Sequence, residues 1–428
     1  MRLKTSNKQP LTFLLVLSLV TIALLAISSF KNKTSKYAKP PEVEQKTPLD
    51  LMQITVKDKY FGKLKKKRDK AVSVGVLETK DTDYVPAMVT YNGVDYPAEI
   101  RLKGDWTDHL EGDKWSFRIK LKDDKTIMGM RKFSIHHPKT RGYINEWLYH
   151  KANKDEDLIG LRYGFLEGMI HVSFRNDSKY VNKEVGLYAI EETFDKRTIE
   201  SNKRKESVIL KFSEDYWWSE VKKAKQVGNG SGIKYDRFTN SDIRASAKDR
   251  ITSFSIENVL ADTTLSSYFR LGKNLLESIR KGERTLDEVF DTKKLAKHTA
   301  LLNLFGAIHG GYIINLRFYY NPITSKLEPI AFDGNSGIRL RKFNHFLFTD
   351  QKKDTVYLRE LMGALKEYSE PEYLDTLLAK YQSQTDELKP ILRAEFIEEV
   401  FKPYNIRHNQ KILKEEYIRL SEQLNGIQ

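Results

Sequence analysis

The chain has 428 residues, enough for two domain cores or one large core in two parts, and its 40% hydrophobic and 31% charged residues place it outside the disordered class. A formal charge of +15, from 73 basic against 58 acidic residues, permits anionic partners without selecting one, and no zinc-finger spacing, basic heptad helix or aromatic RNA-binding strand accompanies it, so no nucleic-acid partner is expected. The absence of cysteine excludes disulfides, thiolate metal sites, iron–sulfur clusters and a cysteine nucleophile.

Residues 1–10 form a short head carrying Arg2, Lys4 and Lys8. Leu11 to Phe30 follows as an uncharged, largely apolar run long enough to cross a bilayer as one helix. The basic head predicts a cytoplasmic N-terminus and an extracytoplasmic C-terminal domain, hence a single-pass protein of the cell membrane. The alternative is a cleaved signal peptide ending near Ala26-Ile27-Ser28, which would release a secreted protein. Lys31 to Pro48 is polar, carries Pro40 and Pro41, and reads as a tether. The folded domain is expected over residues 49–428.

Its first half reads as β-rich. In Tyr96 to Lys103, Tyr96, Ala98, Ile100 and Leu102 face one way while Glu99, Arg101 and Lys103 face the other. Gly104-Asp105 ends that strand. Lys114 to Leu121 begins another, with Arg118 and Lys120 opposite Phe117, Ile119 and Leu121, and Arg131 to His136 a third. Tyr143 to Lys151 has helical spacing. Met169 to Phe174 and Val185 to Glu191 are strands joined by a polar hairpin, the second running out through Glu191, Glu192 and Asp195. The basic blocks Lys63 to Arg68 and Lys203 to Lys205 read as solvated faces. Gly228 to Gly232 looks like a phosphate loop but no strand feeds it, and His136-His137-Pro138 has no partner at metal-ligand spacing. Ile251 to Leu260, Asp291 to Ile308, Leu358 to Tyr368, Glu372 to Leu388 and Lys411 to Leu424 are predicted helices.

The most informative stretch lies between His309 and Asp333. Gly310-Gly311 loosens a loop with a polar tip, Asn315 heads a strand, Asn321-Pro322 turns the chain, and the second strand ends at Asp333-Gly334-Asn335. An amide at the head of one strand and a carboxylate at the tail of its hairpin partner make a small oxygen-ligand site for a hard cation, with Asn315 and Asp333 as ligands.

Four segments in this order, Arg101-Leu102-Lys103-Gly104, Lys114 to Leu121, Gly186 to Asp195 and Asn315 to Asp333, resemble the spore coat protein H (CotH) kinase family over residues 49 to the early 340s. The resemblance implies an α+β, two-lobed, atypical protein-kinase-like domain, here behind an N-terminal transmembrane helix. It implies ATP with Mg2+ or Mn2+ as cofactors, and phosphate transfer to a hydroxyl of an envelope or surface protein. Asp333 and Asn315 fall on the metal-binding positions and Glu192 on the acid that orients a phosphate-binding lysine. That lysine is Lys120 or, second, Lys114, with Arg101 a further cofactor contact. Gly310 and Gly311 stand where active members carry the aspartate that takes the hydroxyl proton, so His309 is the candidate base; Asn335 replaces a second acid. A pseudokinase or envelope scaffold that binds a nucleotide or polymer without turnover is the alternative.

Overall fold

The computed structural model describes residues 47–173, 180–215, 218, 249–345 and 354–425. The apolar run Leu11 to Phe30, most of the linker, and the Gly228 to Gly232 loop lie outside them. Among the described residues no helix is long and apolar enough to cross a membrane.

The N-terminal part is a closed barrel in the order β1-β2-β3-β4-β5-β7-β6. Its strands are β1 (Leu51–Lys57), β2 (Val85–Tyr91), β3 (Val94–Leu102), β4 (Phe117–Leu121), β5 (Lys132–His136), β6 (Tyr163–Ser173) and β7 (Tyr180–Glu192). Alternation supplies the barrel core: Ile54, Ala87, Ile100, Ile119, Phe133, Tyr188 and Leu166 belong to one buried apolar cluster drawn from all seven strands. Helix α1 (Asp58–Val74) adds Leu64 and Ala71 to it.

Helix α2 (Ile144–Asp155) is inserted between β5 and β6, and α3 (Lys196–Ser201) follows β7 and leads to a second sheet in the order β11-β10-β8-β9. That sheet is built from β8 (Ile209–Phe212), β9 (Ile251–Ser253), β10 (Arg317–Asn321) and β11 (Lys326–Pro329). On it pack α4 (Ile256–Ala261), α5 (Thr263–Arg280), α6 (Leu286–Val289) and α7 (Thr292–Leu304), and beyond them lie α8 (Thr355–Ser369), α9 (Pro371–Lys380), α10 (Gln382–Glu395), which packs against α2 and β7, and α11 (Pro403–Asn425). The α7 helix packs on α8 and α11, and its Leu301 and Leu304, with Phe305 just past its end, sit in a second, larger apolar core.

This architecture corrects the expected fold class. A closed seven-stranded barrel joined to a helix-covered four-stranded sheet is not a two-lobed kinase-like domain. Closure comes from β6, which pairs antiparallel with β7 along one edge and parallel with β1 along the other. Apolar alternation is the same in an open sheet and a closed one, so the pattern could not distinguish them.

Smaller differences have local causes. Ile251 to Leu260 is not one helix but β9 followed by α4, divided at Ser255, whose φ of 52° is left-handed. Glu372 to Leu388 divides at Tyr381 into α9 and α10. The α1 helix passed as a basic run because only Leu64 and Ala71 of its residues are buried.

Candidate functional site

A cleft of about 340 Å³ opens between the outer wall of the barrel and the loops that flank β10 and β11. The barrel wall comes first. Cross-strand pairing sets Arg101 opposite Arg118, Arg118 opposite Ser134, and Ser134 opposite Glu191, so the four side chains form one row on the face away from the apolar core. Ser134 and Glu191 in this row are 1% and 2% exposed. Lys103, two residues beyond Arg101, keeps the same face and its ammonium lies 2.5 Å from Glu191. Burial lowers Lys103 to about 8 against the pull of Glu191. Burial would raise the Glu191 carboxyl, but Lys103 and then Arg141 hold it far below the usual carboxylate range.

Arg141 carries the ion chain across the cleft. It ends the 3-10 turn Pro138–Arg141, with its Nε 3.4 Å from Glu191 and its Nη1 2.9 Å from Asp333 Oδ1. The turn reaches the opposite loop only because position 142 is glycine. A Cβ there would lie 2.0 Å from the Ser336 carbonyl oxygen, and the φ of +84° suits glycine.

The opposing wall is irregular backbone. Asp333 follows β11 in a left-handed conformation, φ 51°. Glu146, buried in the first turn of α2, pins its loop by accepting from Gly334 N (2.9 Å), Ser336 N (3.1 Å) and Ser336 Oγ (2.6 Å). Burial would raise Asp333, but Arg141 and then His309 hold its carboxyl far below the usual range. His309 Nδ1 lies 2.9 Å from both Asp333 Oδ1 and the Asp333 carbonyl oxygen. Burial pulls the imidazole down, yet Asp333 outweighs it and raises His309 above its ordinary value. Asn315, closing the turn Ile313–Asn315, donates from Nδ2 to the His309 carbonyl oxygen at 2.9 Å.

Lys103, Glu191, Arg141, Asp333 and His309 thus form one unbroken series of charged contacts spanning both walls. At its edge lies Asp105, held by the Gly104 turn, where φ is +103° and a Cβ would meet His109 at 2.5 Å. Asp105 is open to solvent but walled in by protein; that partial desolvation, and then Glu214, push it up to about 6 against Arg118 and Lys211. Trp106 and Trp218 meet edge to face at 5.0 Å along the same cleft and offer it an aromatic surface.

Of the residues singled out from the sequence, His309, Asn315, Asp333 and Arg101 all line this cleft. Glu192 touches its rim, but its carboxylate is taken by Arg162, whose backbone N donates to it at 3.0 Å and whose guanidinium also pairs with it. Successive strand residues point to opposite faces, so Glu191, not Glu192, reaches Lys103. Lys120 shares the outer face with Arg118 but stands one pair further along, opposite Glu99 and Lys132, outside the cleft. Lys114 also lies outside it, donating to the Leu187 carbonyl oxygen at 2.9 Å and pairing with Glu395.

Lys103, Glu191, Arg141, Asp105 and Glu146 were not singled out from sequence. The alternation of Tyr96 to Lys103 could have pointed to Lys103, since it continues the polar face carrying Arg101. No comparable signal separates Glu191 from Glu192. Leu187 and Ala189 precede the first, Tyr188 and Ile190 the second, and both faces are apolar.

For a cation, the chain offers the Asp333 carboxylate and the Asn315 amide oxygen, and among the described residues no group of three His, Asp or Glu side chains could hold a metal ion. Two oxygen ligands fit a magnesium-type ion that keeps water and substrate oxygens in its shell, not a metal caged by protein. The chain matches no known family profile, and no curated protein is significantly similar to it.

Proposed function

We propose that the cleft binds a nucleoside triphosphate with a divalent cation and transfers its terminal phosphoryl group to a hydroxyl of an envelope or surface protein. The observation that supports this reading best is the ion series from Lys103 to His309. It fixes a buried ammonium on one wall and an ionised aspartate on the other, as phosphoryl transfer by positioning and charge neutralisation requires. In this assignment Asp333 and Asn315 would hold the cation, which would supply charge neutralisation at the phosphate oxygens. Lys103, oriented by Glu191, contacts the phosphates, and Arg101 and Arg118 lie beside it in the same cleft.

The proton goes to Asp105 in this scheme. His309 Nδ1 is committed to the Asp333 carboxylate and carbonyl oxygen, so in this scheme His309 holds the aspartate in place and is not the base. The acceptor oxygen bonds to the terminal phosphorus, the bridging P–O bond breaks toward the diphosphate, and the hydroxyl proton passes to the Asp105 carboxylate.

A second reading, nucleotide binding without turnover, is favoured by one contact. Arg141 occupies the Asp333 oxygen that a cation would share. Incubation of the full chain with Mg2+ and radiolabelled ATP separates the two. The first predicts label on protein, falling roughly 100-fold or more in Asp333→Ala and Lys103→Met. Label that is unchanged in Asp333→Ala refutes it, and a thermal shift with Mg-ATP but no label selects the second.

A further inference from the structure

The α1 helix carries seven basic residues against two acids, and they are not spread evenly. Lys59, Lys63, Lys66 and Lys70 recur at intervals of four, three and four, which places them in one stripe along about 16 Å of helix. All four are exposed. The opposite side of the helix is the one the barrel holds: Leu64 and Ala71 are buried in the barrel core, Phe61 stacks on Trp115 at 5.4 Å, and Arg68 lies over the same indole. The stripe therefore cannot rotate away from solvent without unpacking the barrel end.

The two acids do not reach it. Asp69 pairs with Arg68 at 3.2 Å, and Asp58 lies at the first helical position, where it faces the helix dipole. The neighbouring Asp83 is taken by Lys67 at 2.9 Å. Among the described residues the four stripe lysines have no carboxylate partner, and Lys59 and Lys63 flank the Tyr60 ring instead. Val74, 37% exposed, ends the helix beside the stripe.

We infer that this face of α1 is a docking surface for an anionic lipid headgroup layer, so that the barrel lies against a membrane through Lys59, Lys63, Lys66 and Lys70. Charge complementarity supplies the attraction, and a row of point charges on flexible stems suits a fluid sheet of phosphates rather than one shaped ligand. Position in the chain favours a membrane over a soluble polyanion. The stripe begins only eight residues after β1 opens, and the uncharged Leu11 to Phe30 run precedes it by a linker short enough to keep α1 near any bilayer holding that run. The inference stands apart from the phosphotransfer reading.

Because the chain has no cysteine, a single reporter is clean: Ser73→Cys, an exposed site near the stripe, labelled with a fluorophore. The full chain is incubated with phosphatidylcholine vesicles carrying a headgroup quencher, with and without phosphatidylglycerol. Quenching is expected to be several-fold stronger on the anionic vesicles. It should fall to the neutral-vesicle level in ~1 M salt, where the Debye length shrinks to about 3 Å, and in the Lys59→Gln, Lys63→Gln, Lys66→Gln, Lys70→Gln variant. Glutamine is a good helix former and the four sites are exposed, so that variant should keep the wild-type melting profile. Equal quenching on both vesicles, or a quadruple variant quenched like the wild type, overturns the inference. So does inorganic polyphosphate binding to the stripe while anionic vesicles leave the reporter unquenched; that result would assign a soluble polyanion instead.

Discussion

The two walls of the cleft are held by different physics. On the barrel side Arg101, Arg118, Ser134 and Glu191 sit on regular strands, and their positions follow from ladder register alone. On the facing side Arg141, His309, Asn315 and Asp333 sit on 3-10 turns and a left-handed loop, where no ladder exists. What replaces it is a set of buried side chains bonded to backbone. Glu146 holds the Asp333 loop, Asn145 Nδ2 donates to the Gly142 carbonyl oxygen at 2.8 Å, and Asn409 bridges the Leu304 and Ile338 carbonyl oxygens. A regular wall can present fixed charges cheaply. An irregular wall can turn a carboxylate and an amide toward one point, but only with dedicated anchors behind it.

The sharpest way to break this comparison is to remove one acid from the end of β7. Glu191→Ala leaves Lys103 and Arg141 buried without their shared partner, and should destabilise the protein by about 3–5 kcal/mol and abolish nucleotide binding. Glu192→Ala frees only Arg162, whose side chain is 21% exposed and can swing to water, so a loss of about 1–2 kcal/mol with binding retained is expected. Urea unfolding of the two variants side by side tests the contrast; equal losses would mean that strand alternation does not separate the two roles. The pH dependence follows the same logic. Glu191 and Asp333 both ionise below their unfolded values, so their stabilisation is present above roughly pH 4 and is lost as pH falls toward their folded values.

A smaller effect probes the irregular wall. Glu146→Gln keeps the shape but loses the charge-assisted bonds to Gly334 and Ser336, and should cost about 2 kcal/mol. Amide hydrogen exchange should rise over residues 333–337 and stay unchanged in β3 and β4. Exchange that rises equally in the barrel strands would show that the two walls are not separately anchored.

The smallest change in structure concerns Asp105. Its carboxylate is charged above about pH 6 and protonated below, so transfer should decline as pH falls through that value. Asp105→Asn should lower the maximal rate by roughly 100-fold, remove the acid limb of the pH profile, and leave folding and nucleotide affinity unaltered. A variant that retains the wild-type acid limb would return the base to another group.

Much of this was legible in the chain itself. Local alternation marked β3 and β4 together with the hairpin of β10 and β11, and helical spacing marked α2, α7, α8 and α11, because periods of 2 and 3.6 are properties of neighbouring residues. Turn chemistry drew attention to His309, Asn315 and Asp333, which the fold brings into one cleft. The sequence could not say that seven strands close on themselves, since closure is a pairing between β1 and β6, more than a hundred residues apart. Nor could it choose Glu191 over Glu192, or Lys103 over Lys120. Those choices depend on which face of a strand meets the rest of the molecule, and both faces here are covered. Arg141 and Glu146 act through partners some two hundred residues away, so only the tertiary structure, which converts sequence distance into contact, decided that they belong to the site at all.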